Sequence, residues 1–203
     1  MGYLGYFKMY SEKEMYLGGL MVVDSRGIPV EFKYTDTIKP SKLQKVLYGG
    51  VLEKYLKEEV IIGNLVDKLE IKPEIYVVDK IENMVLNKFV KEQVILLKET
   101  PNKNLDNPGD YQMIKDNEAI YQVDEFNQPI RMQFESGKGE EIFNTLNSFS
   151  LEESASWCAT SGLTFSVWFW RLSAVGFAKL TNGIHATKVT NRNWSDFFEI
   201  TII

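Results

Sequence analysis

Asp24, Glu31 and Lys33 are the residues of this chain whose types and spacing could do chemistry. They form a D-x6-E-x-K pattern. Two carboxylates make a hard oxygen site suited to Mg²⁺, and an ammonium beside them can stabilise charge on an attacking or scissile oxygen. Together they suit metal-assisted hydrolysis of a phosphodiester. Glu12 or Glu14, just upstream, could add a ligand. The same side chains also have a plain structural reading. Asp24 abuts a tight turn and could be its Asx residue. Alternating Glu31 and Lys33 suit a solvent-facing strand, where a cross-strand charge pair adds a fraction of a kcal/mol.

Other chemistries find no set of residues. Cys158 is the one cysteine, so it has no intramolecular disulfide partner and reads as a small buried hydrophobe. His185 is the one histidine, 27 residues further on, and reads as a surface residue after the Asn182-Gly183 turn. One Cys and one His cannot supply a recognisable zinc set. Neither G-x-x-x-x-G-K-[ST] nor G-x-G-x-x-G occurs, which disfavours a phosphate loop, and there is no G-x-S-x-G elbow.

The elements that must position the triad follow from periodicity. LGGLMVVDSRGIPVEFKYT is two apolar runs around an Asp-Ser-Arg-Gly turn, hence a hairpin. A four-residue loop would pair Asp24 with Pro29 and Val22 with Glu31. Met21, Val23, Val30, Phe32 and Tyr34 then share one face, and Asp24, Glu31 and Lys33 share the other. Pro40 and Ser41 open a helix with the S-x-x-Q box Ser41/Gln44 and the apolar stripe Leu43, Val46 and Leu47. Gly49-Gly50 should interrupt it. A longer helix carries Leu52, Tyr55, Leu56, Ile62, Leu65, Val66 and Leu69, ends before Pro73, and leads into the strand EIYVV, which a crossover helix makes parallel to an earlier strand. Residues 81–99 read as a helix around Val85, Leu86 and Phe89, then the strand QVILL. TPNKNLDNPGD, residues 100–110, is the best lobe boundary. Beyond it, residues 119–134 align without a gap on 19–34, with Val23/Val123, Asp24/Asp124 and Pro29/Pro129 identical, which suggests a pseudo-repeat. Arg131 and Gln133 replace Glu31 and Lys33 in that second copy, so it could not bind metal in the same way.

Three resemblances attach to these residues. GGLMVVDSRGIPVEFKYTD followed by KLQKVLYG resembles an uncharacterised bacterial family over about residues 18–70, which implies a bacterial origin and no known activity. Asp24, Glu31 and Lys33 resemble the motif of the PD-(D/E)xK nucleases, where an Asp on one strand and a D/E-x-K on the next hold Mg²⁺, although Val23 stands where that motif has Pro. The succession of antiparallel strands, helix and parallel strand ending in Asp79 is similar to a ribonuclease H-like fold. That comparison implies an acid on the first long strand, and residues 3–9 contain none.

Length and composition set the frame. A chain of 203 residues with 44% hydrophobic and 25% charged content has a globular mix, and Lys plus Arg at 23 against Asp plus Glu at 28 gives −5. That balance argues against a nucleic-acid coat or a membrane binder held by bulk charge. MGYLGYFKMYSEKE shows no secretory pattern, so the expected location is cytoplasmic. GLTFSVWFWRLSAVGFA, interrupted by Ser, Thr and Arg171, is too short to span a bilayer. The expected fold is α+β in two lobes: a hairpin-helix-strand unit over 1–99, a connecting loop over 100–113, and a mainly β unit over 114–203. The leading functional expectation is a non-catalytic interaction or assembly subunit with no cofactor. It would bind a protein partner or itself through Trp168 and Trp170, which alternation puts opposite Phe165, Val167 and Phe169. The alternative is a Mg²⁺-dependent nuclease or phosphodiesterase using Asp24, Glu31 and Lys33, with Asp24 and Glu31 as ligands.

Overall fold

Alternating side chains along the first three strands send one set of residues to each side of a sheet, and the connections that follow cover both sides. The computed structural model describes residues 2–12, 14–100, 105–123, 128–149 and 185–189. The strands are β1 (Tyr3–Glu12), β2 (Met15–Asp24), β3 (Pro29–Thr35), β4 (Ile75–Val78), β5 (Gln93–Glu99), β6 (Tyr111–Lys115), β7 (Glu118–Tyr121), β8 (Ile130–Gln133) and β9 (His185–Val189). Among the described residues they form one sheet in the order β6-β7-β8-β5-β4-β1-β2-β3-β9. β1, β2 and β3 are antiparallel neighbours, β4 lies parallel to β1, and β5 parallel to β4. The fold is therefore mixed α+β, as expected. β1 to β4 give the antiparallel strands, helical crossover and parallel strand that the ribonuclease H-like comparison implies.

The crossover from β3 to β4 is a run of short helical pieces. α1 (Lys42–Tyr48) is opened by the expected capping box: Gln44 N–H donates to Ser41 Oγ at 3.2 Å, and Ser41 N–H donates to Gln44 Oε1 at 2.7 Å. Gly49, at φ 52°, ends it in the left-handed region that glycine tolerates. α2 (Leu52–Tyr55), a π-helical stretch (Leu56–Gly63) and α3 (Asn64–Asp67) follow. The wide π turns were not legible in the i, i+3, i+4 pattern. They set Ile61 against β2 so closely that a Cβ on Gly18 would lie 2.3 Å from Ile61 Cγ2. A 3-10 helix (Ile81–Lys88) takes the place of the α-helix expected between β4 and β5.

One side of the sheet packs Phe7, Met9, Leu20, Tyr76, Val78, Val94 and Leu96 against Ile61, Ile62 and Leu65 of the crossover and Leu86 of the 3-10 helix. The other side packs Leu4, Met21, Val23, Phe32, Val77, Ile95, Tyr121 and Met132 with Ile142, Phe143 and Leu146 of α4 (Gly139–Asn147). α1 departs from expectation. None of its residues is buried, and Leu43, Val46 and Leu47 are 67%, 80% and 70% exposed. Its stripe faces away from the described core.

β8 pairs with β5 and with β7, so strands from both sides of the 100–113 loop share the sheet. The two aligned hairpins are both antiparallel but differ in register by two residues. Met21 faces Phe32, whereas the aligned Tyr121 faces Ile130. An even shift keeps each side chain on its face. Among the described residues no helix is long and apolar enough to cross a membrane.

Candidate active site

The hairpin of β2 and β3 brings Asp24, Glu31 and Lys33 to one face, as its alternation requires. Val22 faces Glu31 and Leu20 faces Lys33 as expected, but a bulge sets Val23, not Asp24, opposite Pro29. The turn explains the slip. Gly27 N–H donates to Asp24 O at 2.9 Å with Gly27 at φ 78°, and Asp24 N–H donates to Ile28 O at 2.9 Å. The loop closes one residue early, and the extra residue, Val30, is taken up in β3 between the pairs Val22–Glu31 and Val23–Pro29.

Asp24 is the turn's own cap. Its Oδ1 accepts from Arg26 N–H at 2.9 Å and Ile28 N–H at 3.0 Å, and its Oδ2 from Arg26 Nε at 3.1 Å and Nη2 at 2.8 Å. Burial works against the charge of this carboxylate. The bonds from Arg26 and Ile28 outweigh it and hold the pKa below the ordinary Asp value.

Glu31 and Lys33 are not on a solvent face, and the expectation of a solvated strand is corrected. Each is only 2% exposed, because this face lies under the crossover. Glu31 Oε1 accepts from Glu70 N–H at 3.1 Å and Oε2 from Ile71 N–H at 2.8 Å. These two backbone donors lie just past α3, where helical partners have run out, so the buried carboxylate satisfies them. Lys33 Nζ lies 3.0 Å from Glu31 Oε1 and 3.1 Å from Glu70 Oε1. Burial alone would lower its pKa, but the bonds to Glu31 and Glu70 win and raise it, so Lys33 is an ammonium and not a general base.

Glu70 was missed by the sequence reasoning. It stands 37 residues from Lys33, and only the crossover brings it there. Its side chain is 76% exposed, which makes it the open side of the network. Glu14 does not join. It sits at φ 64° and pairs with Lys45 of α1. His185 is a strand residue, not a turn residue: it opens β9 in parallel register with Glu31. Cys158, Trp168 and Trp170 lie outside the described residues.

Two further polar clusters bear on the comparison. In the second hairpin Glu118 accepts from Arg131 Nε and from Gln133 Nε2, the latter at 3.0 Å, so both hairpins bury a carboxylate against a cation. At the end of β4, Asp79 pairs with Lys8 of β1 at 3.2 Å and accepts from Asn83 Nδ2 at 3.2 Å. Asp79, the acid that ends the parallel strand, thus faces a lysine of β1 and not a second carboxylate.

Asp24, Glu31 and Glu70 supply hard oxygen donors. Glu31 Oε2 has one N–H donor, and Asp24 Oδ2 is held only by the exposed Arg26 side chain. Among the described residues no three of His, Cys, Asp and Glu converge as a preformed cage. Mg²⁺ typically uses one or two carboxylates and completes its shell with water and substrate phosphate, and in this structure the Asp24 carboxylate is engaged by Arg26 and the Glu31 carboxylate by Lys33 and two backbone N–H groups.

No protein-family model matches the sequence, and no curated protein does. Solved structures are similar in part. Endonuclease V from Bacillus subtilis is 14% identical at a TM-score of 0.43, covering 66% of this chain and 65% of its own. Endonuclease V from Streptomyces avermitilis is 11% identical at 0.43, covering 81% and 83%. Argonaute from Marinitoga piezophila, in complex with a 5′ OH guide RNA, is 17% identical at 0.40, covering 71% of this chain and 25% of its own. This chain therefore spans just under two thirds of the Bacillus protein and a quarter of Argonaute. The expectation of a non-catalytic assembly subunit is corrected at this point: the structures it is similar to are an endonuclease and a guide-RNA-bound protein.

Proposed function

We propose that the chain is a Mg²⁺-assisted nuclease or phosphodiesterase acting on nucleic acid at the face formed by Asp24, Glu31, Lys33 and Glu70. The observation that carries this reading is the Lys33 ammonium held between Glu31 and Glu70 at 3.0 and 3.1 Å, on the hairpin face that also carries Asp24. Asp24 and Glu31 would hold the ion, which supplies Lewis-acid polarisation of the phosphoryl oxygen and a more acidic bound water. Lys33 stays protonated and stabilises negative charge on the phosphoryl group. The backbone donors of Glu70 and Ile71 fix the Glu31 carboxylate so that it needs no reorganisation. Glu70, at the open side, orients Lys33. Arg26 leaves Asp24 for a substrate phosphate, which its planar fork suits equally well.

The test is cleavage of labelled single- and double-stranded DNA and RNA with Mg²⁺ or Mn²⁺ against EDTA, beside calorimetric titration of Mn²⁺. Metal-dependent cleavage reduced at least a hundredfold in Asp24→Asn and in Glu31→Gln, with Mn²⁺ binding lost, is expected. Thermal melts of each variant separate loss of the site from loss of the fold. Equal cleavage in the folded Asp24→Asn protein and wild type would remove the reading.

A further inference from the structure

We infer that the sheet face around Lys98, Arg131 and Lys115 binds the backbone phosphates of a nucleic-acid strand. It rests on the reading of nucleic acid as the substrate and adds to the candidate site a second surface that holds it.

Alternation places these residues. Val94 and Leu96 of β5 pack on the crossover side of the sheet, so Lys98, the next residue in the period of two, belongs to that side. β8 sets Gln133 opposite Leu96 and Arg131 opposite Lys98. In β7 Glu118 faces Gln133, and in β6 Lys115 faces Glu118. Three cations and one carboxylate thus share one face over the adjacent strands β6-β7-β8-β5. Lys98 is exposed, and the side chains of Arg131 and Lys115 are 43% and 69% exposed.

The charges on this face do not balance. Lys98 and Arg131 lie directly opposite each other, where like charges destabilise a sheet and opposite charges stabilise it. Glu118 is buried and already engaged by Arg131 Nε and Gln133 Nε2, with Lys115 Nζ 3.7 Å away. Asp116 and Glu135 lie past the ends of β6 and β8. Among the described residues Lys98 has no ion-pair partner, and Arg131 gives Glu118 only its Nε. The Arg131 fork and the Lys98 ammonium therefore stand side by side for an anion. A phosphodiester suits both, the fork in bidentate contact and the ammonium as a point charge.

Extent argues for a strand over a single phosphate. From β5 to β6 the cations spread over about 14 Å at the usual strand spacing, more than one phosphate covers. A chain of net charge −5 repels a polyanion in bulk, so attraction must come from a local face such as this one. The face lies on the same side of the sheet as Lys33, which stands opposite Leu20 of the crossover-side core. β5 is four strands from β3 in the order, about 19 Å, which about six stacked nucleotides span. One strand can therefore contact both.

The experiment measures the anisotropy of a fluorescent oligothymidylate of about 20 nucleotides with the full chain in EDTA, where metal-dependent cleavage does not contribute, between about 50 and 200 mM salt. Lys98→Gln should weaken binding about threefold or more and reduce the slope of log Kd against log salt by about 0.7, the change for one lost single-strand phosphate contact. Lys98→Arg, which keeps the charge, should bind as wild type. Lys42→Gln, the same charge change at an exposed position of α1, should leave affinity and slope as they are. Because Lys98 opposes Arg131, the Lys98→Gln protein should also unfold at a urea midpoint no lower than wild type. No binding by wild type, equal binding in Lys98→Gln, an equal loss in Lys42→Gln, or a lowered midpoint in Lys98→Gln would each overturn the inference. Lys98-dependent binding by a protein that never cleaves would uphold this surface and remove the nuclease reading. Cleavage by a protein whose binding is indifferent to Lys98 would do the reverse.

Discussion

Lys33 is the residue on which the described site turns, because its charge is buried and its nearest counter-charge, Glu31, is buried with it. Removing one partner of such a pair leaves an uncompensated charge, whereas Glu70, mostly in water, contributes little. Lys33→Met should therefore cost about 3 kcal/mol of stability in urea unfolding, while Glu70→Gln should cost under about 1 kcal/mol. Glu118 gives the pH counterpart. Its bonds from Arg131 and Gln133 pull its pKa from 4.5 down to about 2. A carboxylate with a depressed folded value contributes stability that is present above the unfolded value and is lost as pH falls. Stability should thus decline between about pH 4.5 and 2, and the decline in that window should be shallower in Arg131→Ala, read from urea midpoints at each pH.

At the scale of elements, the crossover decides what the hairpin becomes. Gly18 on β2 leaves the room that Ile61 of the π-helical stretch fills, so Gly18→Ala forces a methyl to 2.3 Å from Ile61 Cγ2. That overpacking should cost about 1–3 kcal/mol, and Ile61→Ala in the same chain should recover part of it, a coupling that a double-mutant cycle measures. α1 behaves differently because it buries none of its own residues. Ser41→Ala removes the cap, worth about 1 kcal/mol, yet the loss should appear as faster amide exchange over residues 42–48 with little change in the global unfolding midpoint.

At the scale of the molecule, the described strands form one mixed sheet whose centre, β4-β1-β2, is covered on one side by the crossover and the 3-10 helix. The candidate site lies toward one end of that order, on β3 next to β9, under the last turn of the crossover. The Lys8–Asp79 pair lies at the end of β4, in the middle of the sheet. The two clusters make opposite predictions for a metal. Lys8→Ala should leave Mn²⁺ affinity unchanged if the hairpin face is the metal site, and a titration of that variant beside Asp24→Asn separates the two positions.

Local chemistry was legible in the sequence. The turn residues, the Ser41/Gln44 box, the period-2 alternation of β2 and β3, and the parallel strand after a crossover all follow from rules that act over a few residues, and each is present. The face shared by Asp24, Glu31 and Lys33 follows from the same alternation. Whether that face meets water or a helix is not a local property. Glu31 and Lys33 carry charge that reads as solvent-facing, and Leu43, Val46 and Leu47 carry apolar surface that reads as core, yet the structure reverses both. The reason is that burial is set by what else the chain can bring to a surface. The crossover returns Glu70 and Ile71 to the hairpin and supplies the partners that make a buried charge tolerable, while nothing described covers the apolar stripe of α1. Sequence determined the elements and their faces; the tertiary structure decided which face became the interior, because partner groups far apart along the chain are set by topology and not by spacing.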